Sequence, residues 1–469
     1  MQAEFLPDDF YAALLEIVGS TSVRHADDIP ESALHDWSTE RGGKPCALVT
    51  PGDTGAVSAV LRLCHRHNIP VVPQGGLSGL AGGAVPSEGA VLLSLARMDQ
   101  IEEIDPSSSL MVVGAGCILQ RIQDAAQNAG FYFALDLGAR GSCQIGGNIS
   151  TNAGGNRVIR YGMTRDLVLG LEVVLADGTI LPMMNRMPKN NAALDLKHLF
   201  IGSEGTLGVI TRAVIRLHPG ICGANTALVA LPDFDAAIGL INHAQRMLSS
   251  RLTAFELMWN DYYLAVIDET GQKPPLATDY PLYALIDMQG ADPDGEKSVF
   301  EAMLETAFEE GIISDAAIAQ SHREIETFWS LRDGVSEILS RRAPAISFDV
   351  SVPLSRIGEC VNEIRAALAQ TFPELPVIFF GHAGDSNIHL VAGSIAKCDP
   401  CDPTGENIER TVYEIIRRYG GSVSAEHGIG LHKKPWLSYS RSETELATLR
   451  LLKQSFDPKG ILNPGKVLS

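Results

Sequence analysis

Five glycines stand among the ten residues from Gln74 to Gly83, and six more among the eighteen from Gly138 to Gly155. Positions without a Cβ at this density let backbone come within touching distance of other backbone or of a ligand. The first cluster begins Gln74-Gly75-Gly76-Leu77-Ser78-Gly79 and follows the apolar run Ile69 to Pro73, which reads as a short strand. Consecutive N–H groups in such a loop can turn toward one anion, and a pyrophosphate is the natural guest. Taken alone, the loop is equally compatible with a tight turn. The second cluster mixes Gly146, Gly147 and Gly155 with Ser142, Asn148, Thr151 and Asn152. Small donors and acceptors beside Cβ-free backbone suit a large polar cofactor. Ile145, Ile149 and Ala153 recur every four residues, which predicts an ordered segment here and not a flexible linker.

On either side of these clusters the patterning alternates. Val57, Val60, Leu61 and Cys64 fall on one helical face behind Asp53, a plausible cap. Val173 to Ile180 reads as strand with a turn inside it, and Leu199 to Thr211 as a glycine-punctuated run ending in a strand. Past Pro219 the glycine density falls. Leu228 to Leu231 and Tyr283 to Ile286 look like strands. Ile357, Val361, Ile364 and Leu368 mark one helix; Ile408, Val412, Ile415 and Ile416 mark another, stopped by Gly420-Gly421. The expected class is α+β. The expected organisation is an N-terminal segment 1–44, a cofactor domain 45–219, a substrate or cap domain 220–421, and a C-terminal segment 422–469 that returns to the cofactor.

Two motifs near the C-terminus carry the chemistry. Gly381-His382-Ala383-Gly384-Asp385-Ser386-Asn387-Ile388-His389 reads as a hairpin, with strands Val377 to Phe380 and Ile388 to Val391 around a turn. Folding the turn back brings His382 and His389 to one side. The second motif, Ser424-Ala425-Glu426-His427-Gly428-Ile429-Gly430, adds a carboxylate and a third imidazole. Imidazoles with a carboxylate suit zinc or another borderline divalent metal, with positions left open for a substrate.

Composition excludes other classes. A net charge of −19 opposes nucleic acid, whose phosphates it would repel. Eight scattered cysteines in 469 residues do not make a disulfide scaffold. Cys398-Asp399-Pro400-Cys401 is a single C-x-x-C without a second pair, so it reads as a surface loop. Gly460 to Lys466 matches the core of a nucleotide-binding P-loop, but Val467 stands where Ser or Thr should reach Mg²⁺. Met1 to Ser20 holds no Lys or Arg and no apolar run spans a bilayer, so a cytoplasmic protein without a transmembrane segment is expected.

The glycine runs and the two histidine motifs together resemble the vanillyl-alcohol-oxidase-like, or PCMH-type, flavoproteins. Within these the chain is most similar to the D-2-hydroxy-acid dehydrogenase branch, which holds D-lactate, glycolate and D-2-hydroxyglutarate dehydrogenases. The resemblance runs from Pro45 to the Asn463-Pro464-Gly465-Lys466-Val467 end. It implies a two-part FAD-binding domain and an α+β cap. Gln74, Gly75, Gly76, Leu77, Ser78 and Gly79 would hold the FAD pyrophosphate. Ser142, Gly146, Gly147, Asn148, Thr151, Asn152 and Gly155 would line the flavin and ribityl chain, with Ile210 toward the adenine and Asn463 beside the cofactor. Covalently flavinylated relatives place a His beside the pyrophosphate loop; Leu77 and Ser78 stand there instead, so dissociable FAD is expected.

The resemblance further implies that His382, His389 and Glu426 bind the metal, zinc first and manganese second, and that His427 is the general base. Arg332, Asn387 and Ser347 would bind a small 2-hydroxy acid. D-2-Hydroxyglutarate enzymes commonly carry Lys-Tyr where this chain has Ser347-Phe348, whereas the lactate branch has Ser at the first position, so the two substrates stay open. Ser386 and Ala193-Leu194 also depart from the family pattern, which has Gly and Gly-Tyr there. An electron-transfer flavoprotein or a quinone would take the electrons, and a homodimer is compatible with the sequence. The rival functions are a metallohydrolase without flavin and an FAD-binding module that has lost turnover.

Overall fold

The computed structural model describes residues 8–38, 40–290, 293–341, 345–393 and 404–468, so the Cys398–Cys401 pair lies outside the described residues. The chain divides into two compact units. One holds residues 1–155, 162–220 and 426–469, and the other holds 156–161 and 221–425. Among the described residues no helix is long and apolar enough to cross a membrane.

In the first unit the apolar strand Ala47–Val49 pairs in parallel with Val91–Ser94, which pairs in parallel with Val71–Gln74. Parallel neighbours require a long crossover, and helix Thr54–His67 forms part of it. Asp53 caps that helix through a 2.8 Å bond from the Ala56 N–H to its Oδ1. Asn68 ends it in the left-handed region. Val57, Val60, Leu61 and Cys64 are fully buried, as their spacing predicts. A second sheet of five antiparallel strands runs in the order Ile101–Asp105, Leu110–Gly114, Val209–Arg216, Val168–Val174, Ile180–Met183. The turn expected within 173–180 joins the last two. The four-residue spacing of Ile145 and Ile149 becomes helix Ile145–Thr151, with both side chains buried.

The second unit is built on seven antiparallel strands in the order Asp315–Ile318, Gly223–Leu231, Leu282–Gly290, Leu252–Trp259, Val377–Gly381, Asn387–Gly393, Ala345–Ser351. Strand alternation gives the sheet two apolar faces. Val229, Leu231, Leu257 and Ile286 pack under helices Phe234–Leu248 and Pro293–Glu309. Leu228, Tyr283, Leu285, Met258, Phe380 and Val391 face helices Asn260–Thr270 and His322–Asp333. Each such side chain contributes about 1.5–3 kcal/mol on burial. That second face turns polar along its strands: two residues from Met258 stands Glu256, and two from Val391 stands His389, paired across the ladder with Asp349. The period of two therefore places Glu256, His389 and Asp349 on one side of the sheet.

The predicted hairpin is present, with Phe380 opposite His389 in register. A 3-10 turn, Ala383–Asp385, links its strands and closes on Ser386 at φ +73°. An L-residue other than Gly is disfavoured there. Ser386→Gly should raise unfolding free energy by about 0.5–1 kcal/mol; a urea denaturation midpoint equal to or below that of the parent would contradict it.

Candidate functional site

The glycine loop of the first unit lies against the second glycine cluster with no room between them. A Cβ at Gly76 would fall 2.0 Å from the Ser142 carbonyl oxygen, and one at Gly75 would fall 3.6 Å from the Gln144 side chain. Leu77 takes φ +56°, a left-handed turn within the loop. Ser142, Gly147 and Gly79 are exposed; Gly75, Gly76, Leu77, Ser78, Thr151 and Asn152 are partly so. Asn148 and Gly155 are buried, as is Ile210 in strand Val209–Arg216.

Not every predicted cofactor residue turns its polar atoms to a ligand. Gln74 donates its amide to the Ala33 and Ala84 carbonyls at 2.9 and 3.0 Å. Asn463 donates to the Gly83 and Glu204 carbonyls at 2.9 and 2.8 Å. Asn152 accepts from the Arg165 N–H at 2.9 Å. These three side chains hold the loops together. The side-chain oxygens of Gln144, Asn148 and Asn463 are buried without a partner. Cβ-free backbone beside orphaned acceptors fits a cofactor that brings its own N–H and O–H donors, as FAD does.

In the second unit the buried carboxylate of Glu256 bridges two of the predicted residues. Its Oε1 lies 2.7 Å from His382 Nδ1, and its Oε2 accepts from Arg332 Nε at 2.6 Å. Burial alone would raise the Glu256 pKa; the His382 imidazole and the Arg332 guanidinium overcome it and hold the carboxyl at about 2. Burial also works against the Arg332 charge, and Glu256 reverses that, raising its pKa above the usual value. Arg332 Nη2 is 3.4 Å from His382 Nδ1 and 3.2 Å from Nε2. Two nearly equal distances put that nitrogen off the Nε2 lone-pair axis.

The His382 and His389 rings lie 5.3 Å apart, centroid to centroid, at 80°. His389 Nδ1 faces Asp349 Oδ1 at 4.0 Å. His382 thus has a carboxylate at hydrogen-bond distance on its Nδ1 side, the placement that orients an imidazole for a metal, while Asp349 Oδ1 stands farther from His389. The donor chemistry fits a borderline divalent ion. Asn387 is buried beside them, donating to Asp349 Oδ1 at 3.3 Å, while its own oxygen has no partner. Ser347 is exposed on the same strand, two residues from Asp349.

Asp349 also receives the segment leading to the last motif. The Ala425 N–H donates to its side chain at 3.2 Å, and Ser424 Oγ donates at 3.4 Å. Glu426 is the next residue along the chain, and within the first unit its Oε1 accepts from the Gly155 N–H at 2.5 Å. His427 follows, partly buried. Glu256 and Asp349 were not among the residues expected from sequence. Their signal is a lone carboxylate inside an apolar strand, in Ala254-Phe255-Glu256-Leu257-Met258 and Ser347-Phe348-Asp349-Val350.

Comparison with known proteins agrees with the FAD reading of the first unit. Residues 45–183 match the "FAD binding domain" family, and residues 223–467 match "FAD linked oxidases, C-terminal domain". The chain is 39% identical to the mitochondrial D-2-hydroxyglutarate dehydrogenase of Arabidopsis thaliana over 97% of its own length and 80% of that protein. It is 39% identical to the Bos taurus mitochondrial D-2-hydroxyglutarate dehydrogenase over 98% of its length and 84% of that protein. Among solved structures, p-cresol methylhydroxylase with substrate bound superposes with a TM-score of 0.79, covering 100% of this chain and 98% of that one at 17% identity. At that identity the likeness shows a shared PCMH-type fold.

Glu256 is the energetic centre of the second unit's polar cluster. Glu256→Gln should destabilise the protein by about 3–5 kcal/mol, because it leaves the buried Arg332 charge without its carboxylate. Denaturant unfolding measures this, and a loss below about 1 kcal/mol would show that the cluster does not carry the cost assigned to it.

Proposed function

From the premise that this chain belongs to the FAD-linked oxidase family, we propose that its D-2-hydroxy acid substrate is D-2-hydroxyglutarate, oxidised to the 2-oxo acid. The observation that carries this is the Glu256–Arg332–His382 cluster with His389 beside it: one guanidinium for a carboxylate and two imidazoles for a metal, on one face of one sheet. Relatives named D-2-hydroxyglutarate dehydrogenase along nearly the whole chain support the dicarboxylate over D-lactate, against the contrary sign of Ser347. A metallohydrolase without flavin is not favoured, because the first 183 residues include a matched FAD-binding domain.

His382, His389 and Glu426 are the proposed metal ligands. Asp349, the strand partner of His389, also holds Ala425, the residue that precedes Glu426. A divalent metal there, zinc or else manganese, would lower the pKa of a coordinated hydroxyl by several units. Arg332 would take the substrate's C1 carboxylate on its Nη edge, the Nε edge being held by Glu256. Asn387 would orient the hydroxyl end, and Ser347 would meet the distal end. His427 would accept the hydroxyl proton near neutral pH. Non-covalent FAD, held by the Gly75–Gly79 loop and the Ser142–Gly155 segment, would accept the C2 hydride and pass two electrons to an electron-transfer flavoprotein or a quinone. The proposed setting is the cytoplasm, with a homodimer as the assembly to test by light scattering.

Anaerobic addition of D-2-hydroxyglutarate should bleach the flavin absorbance, and the L-enantiomer should not. Bleaching by D-lactate alone would reassign the substrate, and no bleaching by any D-2-hydroxy acid would leave the inactive-module alternative. His427→Ala should slow bleaching by about two to four orders of magnitude while keeping its metal; His382→Ala should lose metal and activity together. The reverse pattern of metal contents would exchange the two roles.

No His adjoins the pyrophosphate loop, so acid precipitation should release free FAD into the supernatant. Yellow colour retained in the pellet would show a covalent link.

A further inference from the structure

His427 sits at the start of a loop that has little intrinsic reason to hold one shape. Gly428 takes φ +80° and Gly430 φ +51°, and two such positions around Ile429 leave the backbone many conformations unless something grips it. One side chain does. Glu204, only 8% exposed, accepts the Ile429 N–H on Oε1 at 2.7 Å and the Gly430 N–H on Oε2 at 2.8 Å. The fit is close, since a Cβ at Gly428 would lie 3.0 Å from the Glu204 carboxyl carbon.

Glu204 is itself tied to the cofactor loops. Its N–H donates to the Ser150 carbonyl at 2.8 Å, within helix Ile145–Thr151. Its carbonyl accepts from Asn463, which also holds Gly83 at the end of the glycine loop. Gly430 presses on that loop too: a Cβ there would fall 2.0 Å from the Ala81 oxygen, which accepts the Leu431 and His432 N–H groups at 2.9 and 3.1 Å. Burial raises the Glu204 pKa above the usual carboxylate range, opposed by the two amides and by the buried Lys433.

We propose that Glu204 is a positioning residue for His427: its carboxylate clamps Ile429 and Gly430 and so sets the base from the same backbone that forms the FAD-binding loops. This rests on His427 being the base, as proposed above. Gln at this position keeps one acceptor oxygen and turns an NH₂ toward the other backbone N–H, so the clamp is half undone.

Glu204→Gln should bind FAD as the parent does and keep KM for D-2-hydroxyglutarate within about threefold. Its flavin reduction should slow by about 10–100-fold, the scale of a catalytic group displaced by about an ångström. Amide hydrogen exchange at Ile429 and Gly430 should quicken. The decisive comparison is the double variant. If Glu204 acts through His427, Glu204→Gln adds no further loss in the His427→Ala background. Equal losses in both backgrounds, or a loss that only tracks FAD content, would overturn the proposal. Should Glu204→Gln fail to fold, Gly428→Ala tests the same clamp from the loop side, with the same non-additivity expected. A parent protein whose flavin no D-2-hydroxy acid bleaches would refute the functional assignment and this proposal together; an active parent with an unaffected Glu204→Gln would refute this proposal alone.

Discussion

Backbone packed on backbone, with no side chain between, is the constraint on which the first unit depends. Gly76 against Ser142 and Gly430 against Ala81 each leave no space for a Cβ, which would come within 2.0 Å of a carbonyl oxygen. The two seats draw together loops that are far apart in sequence. The glycine loop after Val71–Gln74 meets the segment entering helix Ile145–Thr151, and the C-terminal stretch lies back over the same loop. Close approach of this kind is what a pyrophosphate and a flavin need, because their recognition is largely by main-chain N–H groups. It also explains why Gln74 and Asn463 spend their amides on neighbouring carbonyls: loops without side-chain packing are held by such bonds.

In the second unit the organising interaction is electrostatic. Glu256, Arg332 and His382 are buried together, and the charges of Glu256 and Arg332 each offset the cost of burying the other. The ion pair does more than cancel charge. It pins the Arg332 Nε edge and sets the orientation of the His382 ring, so each group presents its remaining edge in a defined direction. A second buried ion pair, Arg157 with Asp287, is set in a similar way, with Thr226 and Thr253 donating to the carboxylate at 2.6 and 2.9 Å. Both carboxylates stand on the polar end of an otherwise apolar sheet face, the position at which water is excluded and charge interactions are strongest.

These two kinds of order suit the division of labour in a flavin-dependent oxidation. The flavin needs a surface that binds phosphates and ring edges through backbone, and the acid substrate needs fixed charges. The first unit is rich in glycine and small polar residues, and the second in buried ion pairs. Ala425 and Glu426 mark one place where the chain passes from one to the other. Asp349 receives the Ala425 N–H in the second unit, and Gly155 donates to Glu426 in the first. A single peptide bond joins those two anchored residues.

The sequence by itself determined the pieces whose geometry is local. Asp53 capping helix Thr54–His67 and the His382–His389 hairpin follow from turn chemistry and periodicity, which act within a few residues. The two glycine clusters were legible as places of close backbone approach, which Cβ-free positions at that density permit. Tertiary structure alone decided what those pieces touch. Strand order in the seven-stranded sheet sets Glu256, at position 256, beside Arg332 and His382, and nothing in local propensity encodes a pairing across such distances. Only the fold shows that the stretch 156–161 belongs with the second unit, or that Glu204 grips the loop after His427 from more than two hundred residues away. Hydrophobic periodicity reports which face of an element is buried; the partner that buries it, and the lone carboxylates that the partner makes tolerable, are properties of the assembled core.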